Sequence, residues 1–168
     1  FHAAKKGFAK AQYRLGVLYE QGKGLPADDH EAYKWYKQAA ENDEAYLPAY
    51  AAIGQMYERG IAGKEPNFDK ALEWYEKAAD LNDGASQIQL SKIHMTAVKK
   101  DLVKAYQWAV IAATSTDEAV KADAIVLRIK LANMLDAAQL ATARSAVSMW
   151  HPADPNAGKG PAAQKQNS

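Results

Sequence analysis

The sequence predicts an all-α fold: an α-α superhelix (solenoid) of antiparallel helix pairs, about three repeats followed by a C-terminal helical cap. Three observations carry this. The stretch Leu15-Gly16-Val17-Leu18-Tyr19-Glu20-Gln21-Gly22 returns as Ile53-Gly54-Gln55-Met56-Tyr57-Glu58-Arg59-Gly60 and, altered, as Leu90-Ser91-Lys92-Ile93-His94-Met95-Thr96-Ala97. A second stretch, Ala32 to Ala40 with Trp35-Tyr36 inside it, returns at Ala71 to Ala79 and at Ala105 to Ala113. Gly16 to Gly54 is 38 residues, Trp35 to Trp74 is 39 and Trp74 to Trp108 is 34, the range of stacked helical repeats.

Residues 1–7 read as the tail of a preceding repeat, because Ala3-Ala4 stands to Gly7 as the alanine pair closing each repeat stands to the next. Repeat one is expected over 8–42. Its first helix spans 8–21, with Ala11, Leu15, Leu18 and Tyr19 marking an apolar face. Gly16 inside that helix costs ~1 kcal/mol relative to alanine, which points to a close helix contact. Gly22 and Gly24 end the helix. Asp28 is the N-cap of the second helix, with Asp29 and Glu31 in its first turn, where the helix dipole favours negative charge. Ala32, Tyr36 and Ala39 share its inner side.

Repeat two is expected over 43–82. Pro48 falls in the first turn of its first helix, where a missing N–H costs nothing. Asn67 caps the second helix, Phe68 to about Leu81. Repeat three, 83–114, departs from the pattern: Ser91 replaces the inner glycine, His94 the tyrosine and Ala97 the closing glycine, while Asp101 keeps the capping position. Over 115–150, Glu118 to about Leu135 and Ala137 to about Trp150 lack the repeat signature, and Asp136 caps the last of them. Ends of solenoids must show a polar face to water, so this pair is read as a cap. Residues 151–168, rich in proline and glycine, are expected to form a disordered tail.

Composition narrows the class. The chain has 168 residues with 48% hydrophobic content, enough for a real core. Lys plus Arg is 21 and Asp plus Glu is 20, so no basic footprint points to nucleic acid. No apolar run approaches the ~18 residues that suggest a membrane span. There is no cysteine, which excludes disulfides and thiolate metal sites.

Leu-Gly-x-x-Tyr-x-x-Gly followed by Ala-x-x-Trp-Tyr-x-x-Ala-Ala resembles the Sel1-like repeat family, relatives of the tetratricopeptide repeats. The matching positions are Leu15, Gly16, Tyr19, Gly22, Ala32, Trp35, Tyr36, Ala39 and Ala40, then Ile53, Gly54, Tyr57, Gly60, Ala71, Trp74, Tyr75, Ala78 and Ala79. The last helix resembles the capping helix that many bacterial members carry. The resemblance implies a bacterial protein-interaction scaffold or adaptor with a concave recognition surface, and bacterial members of the family often work in the envelope or as secreted factors; it leaves the compartment of this chain open.

The residues offer little chemistry. His2, His30, His94 and His151 show no metal-ligand spacing. His30 among Asp28, Asp29 and Glu31 reads as a capped helix start, and His94 as a packed histidine on a tyrosine position. Gly22-Lys23-Gly24 lacks the ending and the preceding strand of a phosphate loop. Trp35, Tyr36, Trp74, Tyr75 and Trp108 recur with the repeat, which makes them packing. The expectation is therefore a non-catalytic chain without metal or cofactor that binds a protein or peptide.

By analogy with tetratricopeptide grooves, the candidate contact residues are Lys10, Tyr13, Val17, Glu20 and Gln21 in repeat one. Gln55, Glu58 and Arg59 follow in repeat two, and Lys92, Met95 and Thr96 in repeat three. Two alternatives stand beside this reading. One is a structural segment of a longer solenoid, self-associating through its N-terminal end. The other is a binder or hydrolase of small ligands such as cell-wall fragments.

Overall fold

The computed structural model describes residue 4, residues 8–42, 46–63, 65–96 and 98–153. Eight helices are present among them, with no strand: α1 (Ala9–Gln21), α2 (Asp29–Glu41), α3 (Leu47–Glu58), α4 (Phe68–Asp80), α5 (Gly84–Met95), α6 (Leu102–Ala112), α7 (Glu118–Ala132) and α8 (Ala137–Met149). Each of the first seven packs on its neighbour in the chain, so the fold is a solenoid of helix pairs, α1/α2, α3/α4 and α5/α6. The expected tail of an earlier repeat, 1–7, lies outside the described residues except for Ala4, and so does 154–168 of the expected disordered tail. Of that tail, Ala153 donates its N–H to the Asp80 carbonyl at the end of α4.

One hydrogen bond closes every pair. The N–H of Asp28 donates to the Tyr19 carbonyl at 3.0 Å, that of Asn67 to Tyr57 at 2.9 Å and that of Asp101 to His94 at 2.9 Å. The same three side chains accept N–H groups of the first turn that follows: His30 and Glu31 at Asp28, Lys70 at Asn67, Lys104 at Asp101. One residue thus caps the second helix and ties it to the end of the first, whatever the loop length between. The left-handed turn that leaves α3 needs glycine: Gly60 has φ 79° and a Cβ there would lie 2.9 Å from the Glu65 backbone.

The core runs from layer to layer. Tyr36 packs with Ile53 and Met56 of the next pair, and Tyr75 with Leu90 and Ile93 of the one after. Gly16 and Gly54 exist for those tyrosines. A Cβ on Gly16 would sit 2.6 Å from two carbons of the Tyr36 ring, and one on Gly54 2.8 Å from Tyr75. This contact also turns α1 away from the expected face. Gln12 and Gly16 are buried, whereas Leu18 is 39% exposed. Its counterpart in repeat two, Met56, is buried against the preceding pair; Leu18 has no such neighbour among the described residues.

Repeat three is re-matched rather than eroded. The counterpart of Tyr36 and Tyr75 is Ala109, so Ser91 fits where glycine stood and donates its Oγ to the Ala105 carbonyl at 2.8 Å. The carboxylate that receives the tyrosine hydroxyl in the first two repeats is replaced at the same time, by Met95.

Past repeat three the hairpin rule stops. α7 packs on α6 and α5, but α8 lies against α6 rather than pairing closely with α7. Leu131, Leu135 and Ala143 meet Ala105, Tyr106 and Ala109 in one apolar cluster. Trp150 ends α8 edge-on to Trp108, centroids 6.2 Å apart.

His94 is 6% exposed, and neither ring nitrogen makes a hydrogen bond. Burial holds its pKa below the usual 6.5; the Lys99 backbone pulls the other way, the Lys104 charge adds to the lowering and Asp101 opposes it. Above pH ~6.5 neither folded nor unfolded chain carries the proton; as pH falls through 6.5 the unfolded chain takes it up first, so stability drops. Urea midpoints at pH 7.5 and pH 5 should fall further apart for the native chain than for His94→Phe. Equal differences would remove His94 as the source.

Candidate functional site

The recurring first helices place their non-core positions in one row. Between α1 and α3, closed at one end by the start of α5, lies a groove of about 370 Å³. Tyr13, Val17, Glu20 and Gln21 form the α1 wall, with Tyr36 below. Pro48, Ala51, Ala52 and Gln55 form the α3 wall, and Asp83 with Ala85 closes the end. The Tyr13 ring lies 5.3 Å from Tyr36 and 5.1 Å from Tyr46, which fixes it as a wall. Burial raises the Tyr13 pKa, with Tyr46 and Glu20 adding to it, so its hydroxyl stays a neutral donor and acceptor.

The acidic groups of the row are held in place. Tyr36 donates its hydroxyl to Glu20 at 2.7 Å, and Tyr75 repeats the contact with Glu58 at 2.9 Å. Burial, followed by these carboxylates, pushes both phenols far above the ordinary range. Arg59 donates to Glu20 at 2.8 Å and reaches Asp29 at 3.6 Å, bridging the first two repeats. Tyr33 and Tyr57 share a hydrogen bond of 2.9 Å across the same boundary.

The candidates from the sequence therefore separate. Tyr13, Val17, Glu20, Gln21 and Gln55 come together in the groove. Glu58 and Arg59 are engaged within the chain. Lys10 and Lys92 are exposed elsewhere. Met95 packs into the cluster under α7, and Thr96 donates its hydroxyl to the Ile93 carbonyl. Pro48, Ala51 and Asp83 are groove residues that the sequence reading missed. The repeat register held the signal for two of them, since Pro48 and Ala51 are the counterparts of Lys10 and Tyr13.

A smaller crevice, about 170 Å³, lies between α6 and α8, lined by Glu76, Lys104, Trp108 and Trp150 among others. Burial raises the Glu76 pKa against the pull of Lys104. No group of three acidic or histidine side chains suited to a metal occurs among the described residues, and none of their helices is long and apolar enough to cross a membrane.

Hairpins stacked in register, with a groove along one row of helices, define a helical-repeat solenoid. Its family is settled by comparison: the Sel1 repeat matches three times, at residues 9–44, 47–83 and 84–117, and the chain belongs to the Sel1 repeat family. It is 30% identical over 104 residues to the ERAD-associated E3 ubiquitin-protein ligase component HRD3B of Arabidopsis thaliana, covering 60% of this chain and 16% of that protein. It is 34% identical over 76 residues to chitin synthase regulatory factor 3 of Schizosaccharomyces pombe, covering 45% of this chain and 8% of that one. The chain thus spans a small part of the length of these curated relatives. Among solved structures, a Sel1 repeat protein from Oxalobacter formigenes superposes with a TM-score of 0.62 at 28% identity, covering 83% of this chain and 64% of that one.

Proposed function

We propose that this chain is a non-catalytic scaffold that binds a protein or peptide in the groove between α1 and α3. The single observation behind the reading is the composition of the groove walls. Gln21 and Gln55 are exposed and free to hydrogen-bond, Tyr13 is a rigid aromatic wall, and Ala51 and Ala52 leave room for a docked segment. Such a surface suits a helical or extended segment held by shape and a few hydrogen bonds. Charge plays a smaller part, since Glu20 already holds Arg59 and Tyr36. Relatives named as a ligase component and as a regulatory factor support an adaptor role over a catalytic one.

A photo-crosslinking residue at Gln55 should capture a partner in the native cell, while one at Glu73, exposed on α4, should not. Gln55→Trp, which fills the groove, should then weaken binding of that partner at least about tenfold, a loss of ~1.4 kcal/mol. Equal capture from Glu73, or binding indifferent to Gln55→Trp, would move the site off this face.

A further inference from the structure

We propose that the chain pairs with a second copy of itself through the exposed face of α7, the two helices running antiparallel about a two-fold axis. This surface is separate from the groove. On α7, Ala124 and Leu131 are buried against the stack. The opposite face carries Ala119, Ala122, Val126 and Ile129, spaced by three and four residues into one stripe, all exposed. Val126 is 66% exposed and Ile129 56%. The helix that would be expected to cover this side, α8, lies on α6 instead. A helix face that no described element covers should be polar, and this one carries an apolar stripe.

The charges beside the stripe identify the occupant. Asp123 stands three residues before Val126 and Lys130 four after it, both exposed. At 100° per residue they flank the stripe on the same side. Neither has an ion-pair partner among the described residues. A two-fold axis level with Val126 and Leu127, midway between Asp123 and Lys130, brings like flanks together in antiparallel order. Asp123 of each copy then meets Lys130 of the other, twice, while the apolar stripes close on each other. A parallel pair would bring opposite flanks together and leave these charges apart. The pattern is complementary to itself, as an isologous interface requires.

Sedimentation velocity over a wide concentration range tests this. The native chain should associate to a dimer, and Val126→Gln with Ile129→Gln should be monomeric with unchanged helical circular dichroism. Leu18→Gln, at the other end of the solenoid, should dimerise like the native chain. Asp123→Lys and Lys130→Asp should each weaken self-association about tenfold, by losing two exposed pairs. Mixed together, these two single variants should form a heterodimer in which both pairs are restored. A native chain that stays monomeric, a dimer that survives the Val126/Ile129 change, a dimer lost with Leu18→Gln, or a mixture that fails to recover affinity overturns the proposal.

Discussion

Replacing Tyr75 with alanine should destabilise the chain by about 3–5 kcal/mol, the range for deleting a buried aromatic side chain. The ring is 1% exposed, fills the space over Gly54 and packs on Leu90 and Ile93 of the next pair. Its loss opens a cavity at the boundary between repeats two and three and leaves Glu58 without the hydroxyl it accepts from. The fit with Gly54 makes a sharper test. Gly54→Ala alone should cost about 1–2 kcal/mol, because the new methyl is driven into the ring by more than the gain in helix propensity offsets. In the Tyr75→Ala background the same change should stabilise by up to ~1 kcal/mol, since the obstacle is gone. Urea denaturation of the four proteins gives the cycle. Additive effects would mean that the glycine is not there for the ring. Repeat three already contains the paired change, Ser91 with Ala109.

Placing a carboxylate at Ala143 should free α8 from the stack. Ala143 is fully buried among Tyr106, Leu131 and Leu135. An unpaired charge there costs about 3–5 kcal/mol, and α8 packs chiefly on one helix, α6. Stability in a solenoid is a sum over neighbouring units, so an end unit can open alone. Hydrogen exchange of Ala143→Asp should show lost protection over 137–149 with α1 to α5 still protected. Trp150 emission should shift to longer wavelength as its contact with Trp108 breaks. Loss of protection throughout the chain would show that α8 is a keystone of the fold rather than an appended unit.

Much of the architecture was legible in the residues. The capping residues Asp28, Asn67, Asp101 and Asp136 all cap helices through their side chains, because a cap is a local contact between a side chain and the next turn. The inner glycines also announced close contact, though not with what. That the contact is an aromatic ring, and that Glu20 and Glu58 hold its hydroxyl, depends on side chains 16 and 17 residues away. The candidate site was legible in part. Tyr13, Val17 and Gln55 were found because each repeat presents the same helix face. Asp83 was missed because it is a cap whose place in the groove comes from how α5 follows α4.

The sequence by itself determined the helix pairs, their caps, their period and their membership of a stacked array. These follow from interactions within a repeat or between adjacent ones, and a repeating pattern encodes such interactions directly. Only the tertiary structure decided that α8 lies on α6, that Val126 and Ile129 of α7 stay exposed, and that residues from four helices enclose the groove. Those outcomes turn on how particular volumes fit where the pattern has ceased to repeat, and no periodicity records that.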